Sequence, residues 1–232
     1  MPTKIEWTDE VWNPVTGCTP VSDGCKNCYA ERIMKRFQPE RDFTDVKMHY
    51  DRLDQPLHWK KPRRIFVCSM GDLFHPDVIE RFISRVFKTI RECPQHTFQI
   101  LTKRPARLKS FGFPKNVLVG VSIEDTIRCV DRAPLLVESG ARKIFVSFEP
   151  LLSPINTLFV PNVDWIIVGC ESGPGARPME LDWVRTLRNF SVENKIPFFF
   201  KQAKIDGKIV KMPYLDGRKW DQYPTVERGD HD

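Results

Sequence analysis

Cys18, Cys25 and Cys28 lie within Thr16-Gly17-Cys18-Thr19-Pro20-Val21-Ser22-Asp23-Gly24-Cys25-Lys26-Asn27-Cys28-Tyr29, spaced C-x6-C-x2-C on a short polar stretch. Three thiolates so close together can hold a metal centre. A [4Fe–4S] cube has four irons, so three cysteines leave one iron open to another ligand. A structural zinc site normally takes four protein ligands. Zinc here would need a fourth from Asp23, or from His49, His58 or His75. Inert thiols are the third alternative.

Other polar residues follow short apolar runs in a regular way. Asp72 comes after the run at 64–68, Lys103 and Arg104 after 97–101, and Ser122 and Glu124 after 117–121. Glu149 comes after 143–148, Cys170, Glu171 and Ser172 after 165–169, and Lys201 and Gln202 after 197–200. Each has a functional reading and a structural one. Asp72 binds a ligand or caps a helix. Glu149 holds a hydroxyl or an amine, and a nearby acid such as Glu149 would keep Lys201 charged. Cys68 and Cys170 are either hydrogen-atom donors or small buried apolar side chains. His75, before Pro76, caps a helix or lies at the surface. Arg177 pairs with an anion or is a surface residue. Lys103 and Arg104 meet an anionic substrate, and the Gly173/Gly175 loop lets backbone approach a ligand. Cys93 and Cys129 read as structural, and Trp7, Trp12 and Tyr29 as packing around the cysteine loop.

The elements that would position these groups alternate. Apolar runs without polar alternation suit a parallel sheet buried on both faces. Helical spacing links them, as in Val78, Ile79, Phe82, Ile83, Val86, Phe87 and Ile90. Asp125 is placed to cap a helix, and Pro134 to start a second segment ending at Gly140. With a first strand near 11–15, the order predicts an α/β protein: a partial (β/α) TIM-like barrel of about six to seven parallel strands. A full eight-stranded barrel needs about 250 residues, more than the 232 present. A doubly wound sheet is the competing arrangement. In a barrel, all the polar strand ends converge with the cysteines at one mouth. The character changes near Ala203, dividing a barrel over 1–202 from an extension over 203–232 that starts with an Asp206-Gly207 hairpin and frays at 227–232.

At 41% hydrophobic the chain can bury a core, and no run of 18 apolar residues spans a membrane. The first residues lack the apolar stretch of a signal peptide, so a cytoplasmic location is expected. Seven cysteines there argue for metal or reactive thiols rather than disulfides. The net charge of +6, with basic bunches at 60–64 and 103–109, permits a nucleic-acid partner without demanding one.

The segments Ile5-Glu6-Trp7-Thr8-Asp9, Trp12 to Cys18, Gly24 to Ala30, Gly71-Asp72-Leu73-Phe74, Leu101-Thr102-Lys103-Arg104-Pro105, Ser147-Phe148-Glu149-Pro150-Leu151-Leu152 and Val168-Gly169-Cys170-Glu171-Ser172-Gly173 carry a resemblance. Through about Gln202 the chain resembles the radical S-adenosylmethionine (SAM) superfamily. More closely it resembles a phage and bacterial three-cysteine group of unassigned substrate (phage Gp37/Gp68-type, DUF5131). It departs from the superfamily's C-x3-C-x2-C pattern: the first gap is six residues, and Asn27 stands where an aromatic residue precedes the last cysteine.

The resemblance implies that Cys18, Cys25 and Cys28 ligate three irons of a [4Fe–4S] cluster while SAM chelates the fourth. Reductive cleavage would then give a 5′-deoxyadenosyl radical that abstracts hydrogen from substrate. The polar strand ends supply the candidates to serve such chemistry: a cofactor-binding set of Asp72, Ser122, Glu124, Glu149, Glu171 and Ser172, and catalytic candidates Lys201, Glu149 and Cys170. An electron donor such as flavodoxin or ferredoxin is implied too, and the substrate is expected to be a nucleobase or nucleic acid. The alternative is a zinc-stabilised nucleic-acid-binding protein without catalysis.

Overall fold

Runs of β-branched and aromatic residues become short strands, and amphipathic stretches become the helices that cover them. The computed structural model describes residues 3, 5–173 and 175–225. Its regular elements are β1 (Glu10–Trp12), β2 (Val15–Thr16), α1 (Tyr29–Phe37), β3 (Lys47–Met48), β4 (Arg64–Val67), α2 (Glu80–Arg91) and β5 (Thr97–Thr102). There follow β6 (Val117–Ser122), α3 (Thr126–Val137), β7 (Lys143–Phe148), β8 (Trp165–Gly169), α4 (Leu181–Glu193), β9 (Phe198–Ile205) and β10 (Lys208–Lys211). The main sheet runs β1-β4-β5-β6-β7-β8-β9-β10. All pairs are parallel except β9 with β10. Seven parallel strands thus form a curled, open half-barrel. β2 and β3 make a separate antiparallel pair.

The sheet has two packed faces. On the outside, Phe82, Ile83, Val86 and Ile90 of α2 and Val184 and Leu187 of α4 pack on the outward residues of the strands, such as Ile65, Phe98 and Ile166. Each such side chain contributes about 1.5–3 kcal/mol on burial. On the inside, Trp7, Phe66, Leu118, Phe145, Trp165, Ile167 and Phe199 fill the concave face. Because a strand shows alternate residues to one face, the inward series on each strand can be read by steps of two. It runs Phe145-Ser147-Glu149, Phe199-Lys201, Leu118-Gly120-Ser122 and Gln99-Leu101-Lys103. Three of the four pass from apolar at the floor to polar at the C-terminal end, and the fourth starts on Gln99, whose Nε2 donates to the Trp7 carbonyl at 3.2 Å, and ends on Lys103.

Several local expectations need correction. The strand expected at 11–15 breaks at Asn13-Pro14, since proline has no N–H for a ladder; β1 pairs with β4, while Val15 pairs with Met48. Pro134 lies inside α3 rather than starting a new segment. Its ring fits helical φ and faces solvent, where water can satisfy the carbonyl it leaves unpaired. β9 runs unbroken from Phe198 past Gln202 and Ala203 to Ile205. It then turns through Asp206 (φ 49°) and Gly207 (φ 76°) into β10. Residues 227–232 and Pro174 lie outside the described residues.

Candidate functional site

Two glycines seat the cysteine loop on the strand ends. Gly17 (φ 93°) has its missing Cβ 2.5 Å from the Asp45 carbonyl oxygen, and a Cβ on Gly71 would lie 2.9 Å from the Gly17 oxygen. Only glycine allows both approaches. The Gly17 amide donates to the Met70 carbonyl at 2.9 Å, and Cys18 N–H donates to Phe43 O at 2.9 Å. Cys68, at φ 64°, turns the chain out of β4 toward this contact. Cys25 closes a short 3-10 turn and Cys28 is the residue before α1, with its thiol free of any capping bond.

Cys18, Cys25 and Cys28 all face a cavity of about 850 Å³ at the C-terminal strand ends. The same cavity is lined by Asp72, Ser122, Glu149, Cys170, Glu171, Ser172 and Lys201. Of the residues expected in the site, Glu124 does not reach it. Its fully buried carboxylate bonds Arg132 Nη1 at 2.8 Å. It lies beneath the cysteine loop, so that a Cβ on Gly24 would sit 3.1 Å from its Oε1.

Asp72 is buried and saturated by the protein itself. It accepts from Thr102 Oγ1 (2.8 Å to each oxygen), Phe74 N (2.9 Å) and Lys103 N (3.3 Å), and pairs with Arg104 at 3.5 Å. It thereby fixes the end of β5. From there Arg104 Nη1 reaches Cys18 Sγ at 3.3 Å, Arg104 Nη2 bonds Thr19 O at 2.7 Å, and Lys103 Nζ reaches Cys25 Sγ at 3.8 Å. Burial would raise the Cys25 pKa, but Lys103 and hydrogen bonds from Val21 and Ser22 outweigh it and lower it. Cys18 is pushed up to about 11 by burial and by Asp72, with Arg104 opposing.

Across the cavity, Glu149 and Lys201 form an ion pair at 2.7 Å, and Ser147 Oγ donates to Glu149 Oε2 at 2.9 Å. A Cβ on Gly169 would lie 2.8 Å from Glu149 Oε1, so glycine keeps open the space the carboxylate fills. Cys170 is buried beside them. Burial, then the Glu149 charge, pushes its thiol up to about 11, so it stays protonated near neutral pH.

A third cluster ties the β8 loop to the cysteine loop. Glu171 pairs with Arg177 and accepts from Asn27 Nδ2 at 2.8 Å, while Arg177 Nη2 donates to Asp23 O at 2.8 Å. Burial alone would raise the Glu171 pKa, but the Arg177 and Asn27 hydrogen bonds bring it down to about 2. Arg32 Nη2 donates to the Ser172 carbonyl and lies against Gly173 (φ 97°), where any Cβ would collide with the guanidinium.

The histidines take other roles. His75 is buried rather than at the surface; its Nδ1 accepts from Asp77 N at 3.2 Å in the turn before α2, and its Nε2 is 2.8 Å from Thr19 Oγ1. His49 Nε2 is 2.8 Å from Thr16 Oγ1, and His58 pairs with Asp54 at 3.5 Å. Among the described residues no three His, Cys, Asp or Glu side chains close around one point as ligands of a single ion do. A four-iron cube asks for a wider set, because each thiolate binds its own iron, whereas ligands of one zinc ion all lie about 2.3 Å from it. Three thiols on one loop, facing a cavity and flanked by two cations, fit that anionic cube as a donor set.

Some participants were not expected. The sequence points Lys103 and Arg104 toward an anionic substrate; in the structure they meet the cysteine sulfurs. Asn27, Thr102 and Arg32 were unassigned. The adjacency of Asn27 to Cys28, and of Arg32 one helical turn on, was the available signal. Trp7 packs on Phe66 (4.6 Å) and Trp165 (6.1 Å) at the barrel floor, and Trp12 on Phe98 (5.9 Å), rather than around the loop. Tyr29 does lie at the loop, donating to Ser69 O at 2.6 Å.

A family model described as "Protein of unknown function (DUF5131)" matches residues 2–224. Two solved structures are similar in fold. A cysteine-to-serine mutant of spore photoproduct lyase is 10% identical, with a TM-score of 0.51 over 79% of this chain and 72% of that one. A tyrosine-to-phenylalanine mutant of spore photoproduct lyase is 8% identical, with a TM-score of 0.46 over 79% and 73%. At such identities the likeness concerns the fold. No curated protein matches the chain.

Proposed function

The chain belongs to the DUF5131 family of proteins of unknown function, and from that premise we propose that it is a radical SAM-type enzyme acting on a nucleobase or nucleic acid. The observation that carries this reading is the cysteine trio: three thiols from one loop face a cavity at the C-terminal ends of seven parallel strands, with a cation at two of the sulfurs. The half-barrel fold shared with spore photoproduct lyase supports it.

Cys18, Cys25 and Cys28 would hold three irons of a [4Fe–4S] cluster. The bound cluster and SAM would supply one-electron cleavage chemistry, with the electron from a flavodoxin- or ferredoxin-like donor. The protein's own part is binding, orientation and exclusion of water. Asp72 acts indirectly, by fixing Lys103 and Arg104. Glu124 acts from beneath Gly24 as a support of the loop. Ser122, Ser172 and the Glu149–Lys201 pair present hydroxyl, carboxylate and ammonium groups to the polar parts of SAM and substrate. Glu171 holds the cysteine loop through Asn27. Cys170, protonated and beside the cavity, would serve as a hydrogen-atom source for the substrate, its sulfur returning to the thiol by taking one electron from the same donor and one proton.

Support for the substrate class comes from the cavity mouth, where Arg36 and Phe37 of α1 place a cation beside an exposed ring. The test is anaerobic reconstitution with iron and sulfide, followed by EPR of the reduced protein with and without SAM. A [4Fe–4S]⁺ signal that changes on adding SAM is expected. Stoichiometric zinc with no cluster would overturn the reading and favour the zinc-stabilised nucleic-acid-binding alternative.

A further inference from the structure

We propose that Lys103 and Arg104 are positioning residues that set the reduction potential of the cysteine-held centre, Lys103 through Cys25 and Arg104 through Cys18. The inference rests on the cluster reading above.

Both cations are fixed in place. Thr102 Oγ1 donates to Asp72 and accepts from Arg104 N at 2.9 Å, and Lys103 N donates to Asp72 Oδ2 at 3.3 Å. The β5 end is therefore clamped at three successive residues, and both side chains project onto the cysteine loop. Arg104 is held further by Thr19, with Nη2 2.7 Å from its carbonyl and 2.8 Å from its hydroxyl. Only 11% of its side chain is exposed. The two N–H to sulfur approaches, at 3.3 Å and 3.8 Å, join residues 86 and 78 positions apart in sequence.

The physical consequence follows from charge. A cube with three thiolates gains one negative charge on reduction. A fixed cation at a ligand sulfur stabilises that form more than the oxidised one and raises the potential; hydrogen bonds to sulfur act in the same direction. The two residues should not contribute equally. Arg104 shares its charge with Asp72 at 3.5 Å. Lys103 has the Cys25 sulfur as its side-chain partner, a Cβ on Gly24 would sit 2.8 Å from its Nζ, and the Glu124 carboxylate that also borders Gly24 is paired with Arg132 instead. Lys103 is therefore the stronger lever, and it is free of the second duty that ties Arg104 to Thr19.

The experiment is an EPR-monitored redox titration with dithionite of the reconstituted full chain as wild type, Lys103→Met and Lys103→Arg. The expected result is a midpoint displaced to lower potential in Lys103→Met and retained near wild type in Lys103→Arg. EPR reads only loaded protein, so partial loading leaves the comparison intact, and Lys103→Gln supplies it if Lys103→Met takes up no iron. A neutral variant with the wild-type midpoint overturns this inference alone. A wild type that takes up no cluster overturns the proposed function along with it.

Discussion

Cys18, Cys25 and Cys28 differ from the other four cysteines in where their sulfurs stand. Cys68, Cys93, Cys129 and Cys170 are buried, and burial pushes the thiols of Cys93 and Cys129 up to about 11 and about 12. The loop thiols are only half-buried and line the cavity together on one loop, whereas Cys68 and Cys170 reach the same cavity singly from buried strand ends. Substituting serine at 18, 25 or 28 should therefore cut iron binding by more than the about 10–100-fold typical of losing a supporting partner. Cys93→Ser and Cys129→Ser should keep iron at the wild-type ratio. Iron and sulfide analysis after reconstitution checks both, and full iron in Cys25→Ser would break the ligand assignment. Glu171 gives a pH prediction of definite sign. Its folded pKa of about 2 lies below the ordinary 4.5. The stabilisation is thus present above pH 4.5 and is lost as pH falls toward 2, and amounts to on the order of 3 kcal/mol. Urea denaturation of wild type and Glu171→Gln should differ by that order at pH 7 and converge between pH 4.5 and pH 2. A gap that is constant with pH would mean the carboxylate charge is not what Arg177 and Asn27 recognise.

At the scale of elements, close approach constrains the strands as tightly as hydrophobicity does. Gly120 in β6 leaves room for the Phe145 ring of β7: a Cβ there would fall 2.5 Å from its edge. Gly120→Ala overpacks the concave face at a cost of about 1–3 kcal/mol, or roughly 2–12 °C in Tm for a chain of this size. Gly112 has nothing within 4 Å of its missing Cβ, so Gly112→Ala should melt with wild type. Equal melting of the two variants would show that Phe145 yields freely. The same strands explain what was legible beforehand. Runs such as Val117–Ser122 are buried throughout and so read as strands without alternation. The three cysteines were legible because they are contiguous. Their partners were not, because pairing depends on strand register and loop docking: Arg177 and Asp23 meet across 154 positions. Pro134 misled because its cost depends on whether it faces water, and sequence alone does not say.

At the scale of the molecule, an open half-barrel leaves one side of its mouth unwalled, and the cavity runs out between α1 and the β1 and β10 edges. It is bordered there by Ile5, Val11, Ile33, Phe37 and Ile209, with Arg32 and Arg36 among them. Phe37 is 72% exposed, with the Arg36 guanidinium over its ring at 5.4 Å. No helix among the described residues is long and apolar enough to cross a membrane, so the exposed apolar residues of α1 are not part of a spanning segment. If a nucleic acid is the substrate, the reconstituted protein should bind a single-stranded oligonucleotide in fluorescence anisotropy, with affinity that falls as salt rises. Arg36→Gln should weaken binding for all sequences alike and reduce the salt slope by about one unit. Phe37→Ala should instead cost about 1–3 kcal/mol of affinity with the slope unchanged, because stacking releases no counterions. Absence of binding to single and double strands at low salt, by a protein whose EPR signal still responds to SAM, would keep the chemistry and move the substrate to another class.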